Sequence, residues 1–162
     1  MNINLTAKER KLLEDQKSHE EICVQKYTNY ANMASDAQLK ELFKNHASIE
    51  QEHLNSINQL LSGQVPNLQA QGGGGGGGST GQQQMSNLQA QGSFNVNEAS
   101  DKDLCTDMLM TEKYVSGTYD TAIFEFKDSQ VRDVLNHIQK EEQKHGEAIF
   151  KYMESKGMYN PQ

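Results

Sequence analysis

Identical residues recur through this chain at a fixed offset of 92 positions, with no gap between the two copies. The pairs are Ala7 and Ala99, Leu12 and Leu104, Asp15 and Asp107, Glu20 and Glu112, Tyr27 and Tyr119, and Asp36 and Asp128. Gln38 and Gln130, Glu50 and Glu142, Gln51 and Gln143, His53 and His145, and Ile57 and Ile149 complete the set. A repeat of this kind places equivalent residues around a pseudo-twofold axis. The residues that the copies share are then expected to face one another.

Within each copy, apolar residues recur every three to four positions, the period of an amphipathic helix. The spacing predicts helices over residues 6–34, 36–61, 101–127 and 129–155. The first carries Leu13, Cys23, Val24, Tyr27, Tyr30, Ala31 and Ala34 on its stripe. The second carries Leu39, Leu42, Phe43, Ile49, Leu54, Ile57, Leu60 and Leu61. The third has Leu104, Cys105, Leu109, Val115, Tyr119, Ile123 and Phe126, and the fourth has Val131, Val134, Leu135, Ile138, Ile149, Tyr152 and Met153. Thr6 with Glu9 reads as a capping box, Ser35 or Asp36 and Ser100 as further caps, and Gly63 and Gly157 as stop signals. Very short turns near Asp36 and Asp128 make antiparallel hairpins. The expected fold is all-α: a four-helix bundle of two repeated hairpins, residues 6–62 and 98–156, forming one domain over residues 1–162.

Residues 63–97 between the hairpins are different. They include seven consecutive glycines at 72–78 and the string NLQAQG twice, at 67–72 and 87–92. Such a composition buries little apolar surface and reads as a flexible linker. Its root-mean-square span is roughly 33 Å, close to the length of a helix of this size. It can cross from one end of a bundle to the other, or pass the second hairpin to another copy in a swapped homodimer.

The chemistry lies in the charged residues that fall inside the apolar stripes. Glu20 is two helical turns from both Leu13 and Tyr27, and Glu112 lies between Cys105 and Tyr119. Glu50 and His53 continue the inner line of the second helix; Glu142 and His145 do the same on the fourth. Burying an ionised carboxylate in an apolar core costs several kcal/mol unless something compensates it. Four carboxylates at one level would also repel one another. Two divalent cations cancel four negative charges, and two neutral imidazoles add ligands without adding charge. One Glu from each of two helices and one Glu-x-x-His from each of the others is the donor set of two-metal carboxylate bundles. The expected metal ligands are therefore Glu20, Glu50, His53, Glu112, Glu142 and His145, holding two iron or manganese ions. Ligand type does not choose between those metals. The competing expectation is a buried salt-bridge network, weakened because no Lys or Arg falls on the inner stripes.

Tyr27 and Tyr119 lie two turns from Glu20 and Glu112, either as plain core residues or as hydrogen-bond partners of ligand carboxylates across the bundle. His46, one turn before Glu50, reads as a core residue or a partner of the ligands; its repeat counterpart is Ile138. His19 and His137 read as solvated. Cys23 and Cys105 form no CxxC pair, so neither a disulfide scaffold nor a zinc ribbon is expected. The net charge of -7 opposes binding to nucleic acid and to anionic membranes. No apolar run approaches the roughly 20 residues of a membrane span, and MNINLTAKER lacks an apolar signal core. A reducing cytoplasm is the expected compartment.

These residues resemble the ferritin-like superfamily of rubrerythrins, ferritins and manganese catalases. More closely, LCTDMLMTEKYVSGTYDTAIFEF at 104–126 and FKYMESKGMY at 150–159 resemble the Coat F family of bacterial spore coat proteins. LLEDQKSHEEICVQKYTNYA at 12–31 and IEQEH at 49–53 are similar to its ligand-bearing members. The resemblance places the six residues above on the superfamily's ligand positions. It implies redox activity towards Fe(II), oxygen or peroxide, or a structural role among spore coat proteins with a stabilising metal, and a cytoplasmic or spore-coat location. The extra helix-three carboxylate of rubrerythrins has no counterpart, because Met108 and Val115 stand near that level. With no CxxC pair, no rubredoxin-like iron centre is expected to bring in electrons.

Overall fold

The computed structural model describes residues 3–67 and 99–161. These form four helices: α1 (Ala7–Met33), α2 (Ala37–Leu61), α3 (Asp101–Ile123) and α4 (Ser129–Ser155). Residues 68–98, with the glycine run and all of both NLQAQG copies but Asn67, lie outside the described residues.

Each helix starts where a side chain satisfies its free N–H groups. Thr6 and Glu9 bond reciprocally at α1, with Thr6 N–H donating to Glu9 Oε2 at 2.7 Å and Glu9 N–H to Thr6 Oγ1 at 3.2 Å. Ser100 and Asp103 form the same box at α3. The repeat-equivalent Asp36 and Asp128 cap α2 and α4, accepting from Gln38 N–H at 2.7 Å and Gln130 N–H at 2.8 Å. At the far ends, Gly63 and Gly157 take positive φ of 86° and 68°. The N–H of Gln64 then reaches Gln59 O, and that of Met158 reaches Met153 O, closing both helices in Schellman turns. Replacing Asp128 by alanine is expected to lower stability by about 1 kcal/mol. Urea unfolding checks this; an unchanged midpoint would contradict the capping role.

α3 stops four residues before its expected end at Lys127. Phe126 leaves the helical line and tucks into the core at 3% exposure. Arg132 holds the carbonyls of Phe126 and Lys127 at 2.8 Å each, and Lys127 N–H donates to Glu9 Oε1 at 3.1 Å. Tertiary bonds replace the last helical turn. Val24, Ile49, Leu54 and Leu109, expected on the inner stripes, are only half-buried, whereas Glu9, Gln16, Ser56 and Met108 are buried.

α1 packs against α2 and α3, and α4 against α3 and α2. The two Asp101 carboxylate oxygens accept from Ser35 N–H at 2.7 Å and Asp36 N–H at 3.0 Å, fastening the start of α3 beside the α1–α2 turn. At the opposite end of the bundle, Ile3 N–H bonds Gly63 O at 2.9 Å. The end of α2 and the start of α3 therefore lie a bundle length apart, as a crossover connection requires. The apolar core falls into two clusters. One holds Leu13, Ile57, Val115, Phe126, Val131 and Leu135. The other holds Tyr30, Leu39, Phe43, Leu104, Met108 and Ile149. A polar layer sits at mid-bundle, between them in sequence along α2, α3 and α4, while on α1 Glu20 lies between Leu13 and Cys23 of the first cluster.

Candidate metal centre

On α1 the buried positions include Glu9, Leu13, Gln16, Glu20, Cys23, Tyr27 and Tyr30. Their spacing of three and four keeps one face inward, so Glu20 is carried into the core by the same register that buries Leu13. The corresponding line on α3 carries Glu112 inward. On α2 and α4 the Glu-x-x-His spacing places both side chains one turn apart on the inner face. All six residues are buried, with Glu20, Glu50 and Glu142 at 0% exposure and none of the six above 4%.

Their polar atoms converge into two overlapping groups. Glu20, Glu50, His53 and Glu142 form one; Glu50, Glu112, Glu142 and His145 form the other. Within each group the ligand-capable atoms lie within 4.8 Å of one another. Glu50 and Glu142 belong to both. His53 Nδ1 lies 3.0 Å from Glu142 Oε1 and 3.2 Å from Glu50 Oε2. His145 Nδ1 lies 3.0 Å from Glu50 Oε1 and 3.5 Å from Glu142 Oε2. Each outer carboxylate stands near one imidazole: Glu20 Oε2 is 3.8 Å from His53 Nδ1, and Glu112 Oε1 is 3.6 Å from His145 Nδ1.

Both tyrosine hydroxyls reach carboxylates across the bundle. Tyr27 of α1 donates to Glu112 of α3, and Tyr119 of α3 donates to Glu20 of α1. Each hairpin thus braces a carboxylate of the other, in a pair of bonds that respects the repeat. A bond that orients a coordinating carboxylate carries 10–100-fold in affinity in comparable sites. Tyr27→Phe and Tyr119→Phe are each expected to weaken metal binding by about tenfold while leaving the bundle folded. Titration with Mn(II) checks this, and unchanged affinity in both variants would show the hydroxyls to be packing alone.

His46 is buried and stacks on His145, with ring centroids 4.2 Å apart, and its face meets Tyr27 edge-on at 5.1 Å. Burial and the neighbouring His145 push it down to about 3, so it stays neutral. It belongs to neither convergent group. His19 and His137 are half-buried rather than solvated, and His19 meets Tyr114 edge-on. Cys23 and Cys105 are free and buried, and burial pushes both thiols up. Gln16, one turn before Glu20, accepts from the Thr118 hydroxyl at 3.1 Å. Its repeat counterpart is Met108. The unbroken 3.5-residue spacing on α1 signals its burial, but the residue type conceals it.

With protons alone to balance it, the cluster separates into two kinds of group. Burial, reinforced by the Glu142 and Glu50 charges, pushes Glu20 well above the usual carboxylate range. Burial does the same to Glu112, against the hydrogen bond from His145. Burial also opposes charge on Glu50 and Glu142, yet the bonds from His145 and His53 outweigh it and hold both low. Burial would discharge His53 and His145, but their carboxylate partners raise His53 to about 9 and His145 well above its usual value.

Hydrogen bonds within the protein leave this cluster incompletely satisfied. Glu20 Oε2, Glu112 Oε2 and the Nε2 atoms of His53 and His145 are buried without a hydrogen-bond partner among the described residues, and the Glu142 oxygens have only the two imidazoles beside them. Buried polar atoms are nearly always paired, and the ion pairs of these four carboxylates, among the described residues, are all to the two histidines. Four carboxylates and two imidazoles in two shared groups fit a pair of divalent cations in charge and donor type.

Residues 100–162 match the Coat F domain family. No curated protein matches the chain. Among solved structures, the chain is similar to a two-domain protein from Anabaena variabilis containing DJ-1/ThiJ/PfpI-like and ferritin-like domains, with a TM-score of 0.67 and 15% identity. The match covers 95% of this chain and 38% of that one, and at this identity it speaks to fold. This chain is an all-α, ferritin-like four-helix bundle whose second hairpin matches the Coat F domain.

Proposed function

We propose that this is a two-metal carboxylate protein of the spore, with redox activity towards Fe(II), oxygen or peroxide. The observation that carries the reading is the pair of overlapping groups, each with three carboxylates and one imidazole, that share Glu50 and Glu142. Glu20 and His53 would hold one ion and Glu112 and His145 the other, with Glu50 and Glu142 belonging to both groups. Bound there, a pair of iron or manganese ions supplies one-electron steps to oxygen or peroxide. The chain's own part is to keep the carboxylates fixed and dry. Tyr27 and Tyr119 orient Glu112 and Glu20, and the apolar layers above and below limit water. Each hairpin supplies half of the donors, so residues 6–62 and 98–156 act as one domain.

The Coat F match also supports a second reading, in which the protein is a structural coat component and the metal only ties the four helices together. Rapid mixing separates the two. Protein loaded anaerobically with Fe(II) is expected to oxidise it with oxygen or peroxide faster than the Glu20→Ala/Glu112→Ala double variant does. Equal rates would reject the redox reading, and a tightly held metal without turnover would establish the structural one.

A further inference from the structure

A groove of about 650 Å³ runs between α3 and α4, and Glu112 and Glu142 are part of its lining. These two residues are 2% and 0% exposed, so they form its floor. Leu109, Gly146 and Phe150 line it as well. Gly146 sits in the interior of α4, where glycine costs about 1 kcal/mol relative to alanine. Its backbone does not require glycine, because positive φ among the described glycines is confined to Gly63 and Gly157. Nor is it forced by crowding. A Cβ there would meet Leu109 Cδ1 at 3.8 Å and Glu112 Cβ at 3.9 Å, which are ordinary contacts. What glycine provides is open space above Glu112.

The internal repeat supplies the comparison. The equivalent of Gly146 in the first hairpin is Leu54, and that of Gly117 is Gln25. Leu54 is half-buried on α2. The first hairpin thus carries a branched side chain where the second carries none. The size of the groove then limits its occupant. One water takes about 30 Å³ of liquid, so an oxidant of two or four atoms would leave the groove nearly empty. Sites for small organic molecules fall in the range of roughly 300–1,000 Å³. Charge limits it further. Asp120 and Glu147 outnumber Lys113 in the lining, so an anion is disfavoured and an uncharged occupant favoured.

We infer that the α3–α4 groove binds a small uncharged organic molecule, ring-sized and apolar, seated in the space that Gly146 leaves open. Its place beside reacting metal ions rests on the function proposed above; binding itself does not need the metal. Phenol titrated into the full-length protein, followed by amide NMR shifts, tests this. Saturable shifts are expected at Gly117, Gly146 and Phe150, with affinity in the millimolar range of a fragment, on the order of 1–10 mM. Gly146→Leu, which restores the residue of the first hairpin, is expected to weaken binding at least about tenfold. Phe150→Ala, which removes an apolar wall, provides the same test should the leucine variant fail to fold. Shifts centred on other residues, no saturation by roughly 20 mM, or unaltered affinity in these variants would overturn the inference. Metal content measured on the same sample keeps the claims apart. Phenol binding without metal would sink the two-metal reading alone, and metal without phenol binding would sink the groove alone.

Discussion

Glu50→Ala is expected to abolish binding of both metal ions, whereas Glu20→Ala is expected to remove one. The difference follows from membership. Glu50 belongs to both convergent groups, and Glu20 belongs to one. The metal-free variants should diverge in the same order. Glu50 lies 3.0 Å from His145 Nδ1 and 3.2 Å from His53 Nδ1, and losing one partner of a buried ionic cluster costs about 3–5 kcal/mol. For a chain of 162 residues, a loss of about 3 kcal/mol lowers Tm by roughly 6–12 °C. Glu20→Ala strands the Tyr119 hydroxyl and costs about 1–3 kcal/mol. Isothermal titration with Mn(II) and thermal unfolding without metal read the two effects. Glu50→Gln, which preserves volume, should still lose both ions. A Glu50 variant retaining one ion at wild-type affinity would show that the groups are not shared.

Metal binding is expected to release protons and to tighten as pH rises. Glu20, Glu112, His53 and His145 hold protons above their ordinary values, and coordination of both ions removes them. The metal-free protein moves the other way. A group whose folded pKa is raised contributes stability that is fully present below its unfolded pKa and is lost as pH rises through the folded value. For the two carboxyls that loss begins above their ordinary value of 4.5, and for His53 it runs from 6.5 to about 9. Glu50 and Glu142 are held low, so their contribution is present above 4.5 and is lost in acid. Metal-free stability should therefore decline from mildly acidic pH towards pH 9, while the gap in Tm between metal-loaded and metal-free protein widens. Proton release measured with a pH indicator and unfolding scans across that interval check both halves. A gap that narrows with rising pH would contradict this proton inventory.

Much of the architecture was legible because helical period and capping chemistry are local. Thr6, Asp36, Ser100, Gly63 and Gly157 mark helix boundaries through side-chain oxygens or positive φ, and each is recognisable from its residue type. The site was legible for a different reason. Charged residues in the register of Leu13, Tyr27 and Ile57 have no apolar explanation, and the 92-residue offset duplicates them. What sequence could not provide was long-range pairing. The early end of α3 depends on Arg132 and Glu9 reaching the α3–α4 turn, which no local signal announces. The direction of the Tyr27 and Tyr119 hydroxyls depends on α1 and α3 lying side by side. Gln16 is buried against its polarity because Thr118 meets it from another helix. The groove over Glu112 comes from a missing side chain, and its meaning appears only when Gly146 is set against Leu54 in three dimensions.

Elemental analysis of the purified protein, prepared without chelator and again after anaerobic loading with Fe(II) or Mn(II), decides whether the six residues hold metal. The account predicts about two iron or manganese ions per chain, falling to none in Glu50→Ala. A protein that stays metal-free after loading would contradict it, and the six buried residues would then stand as a proton-balanced ionic network.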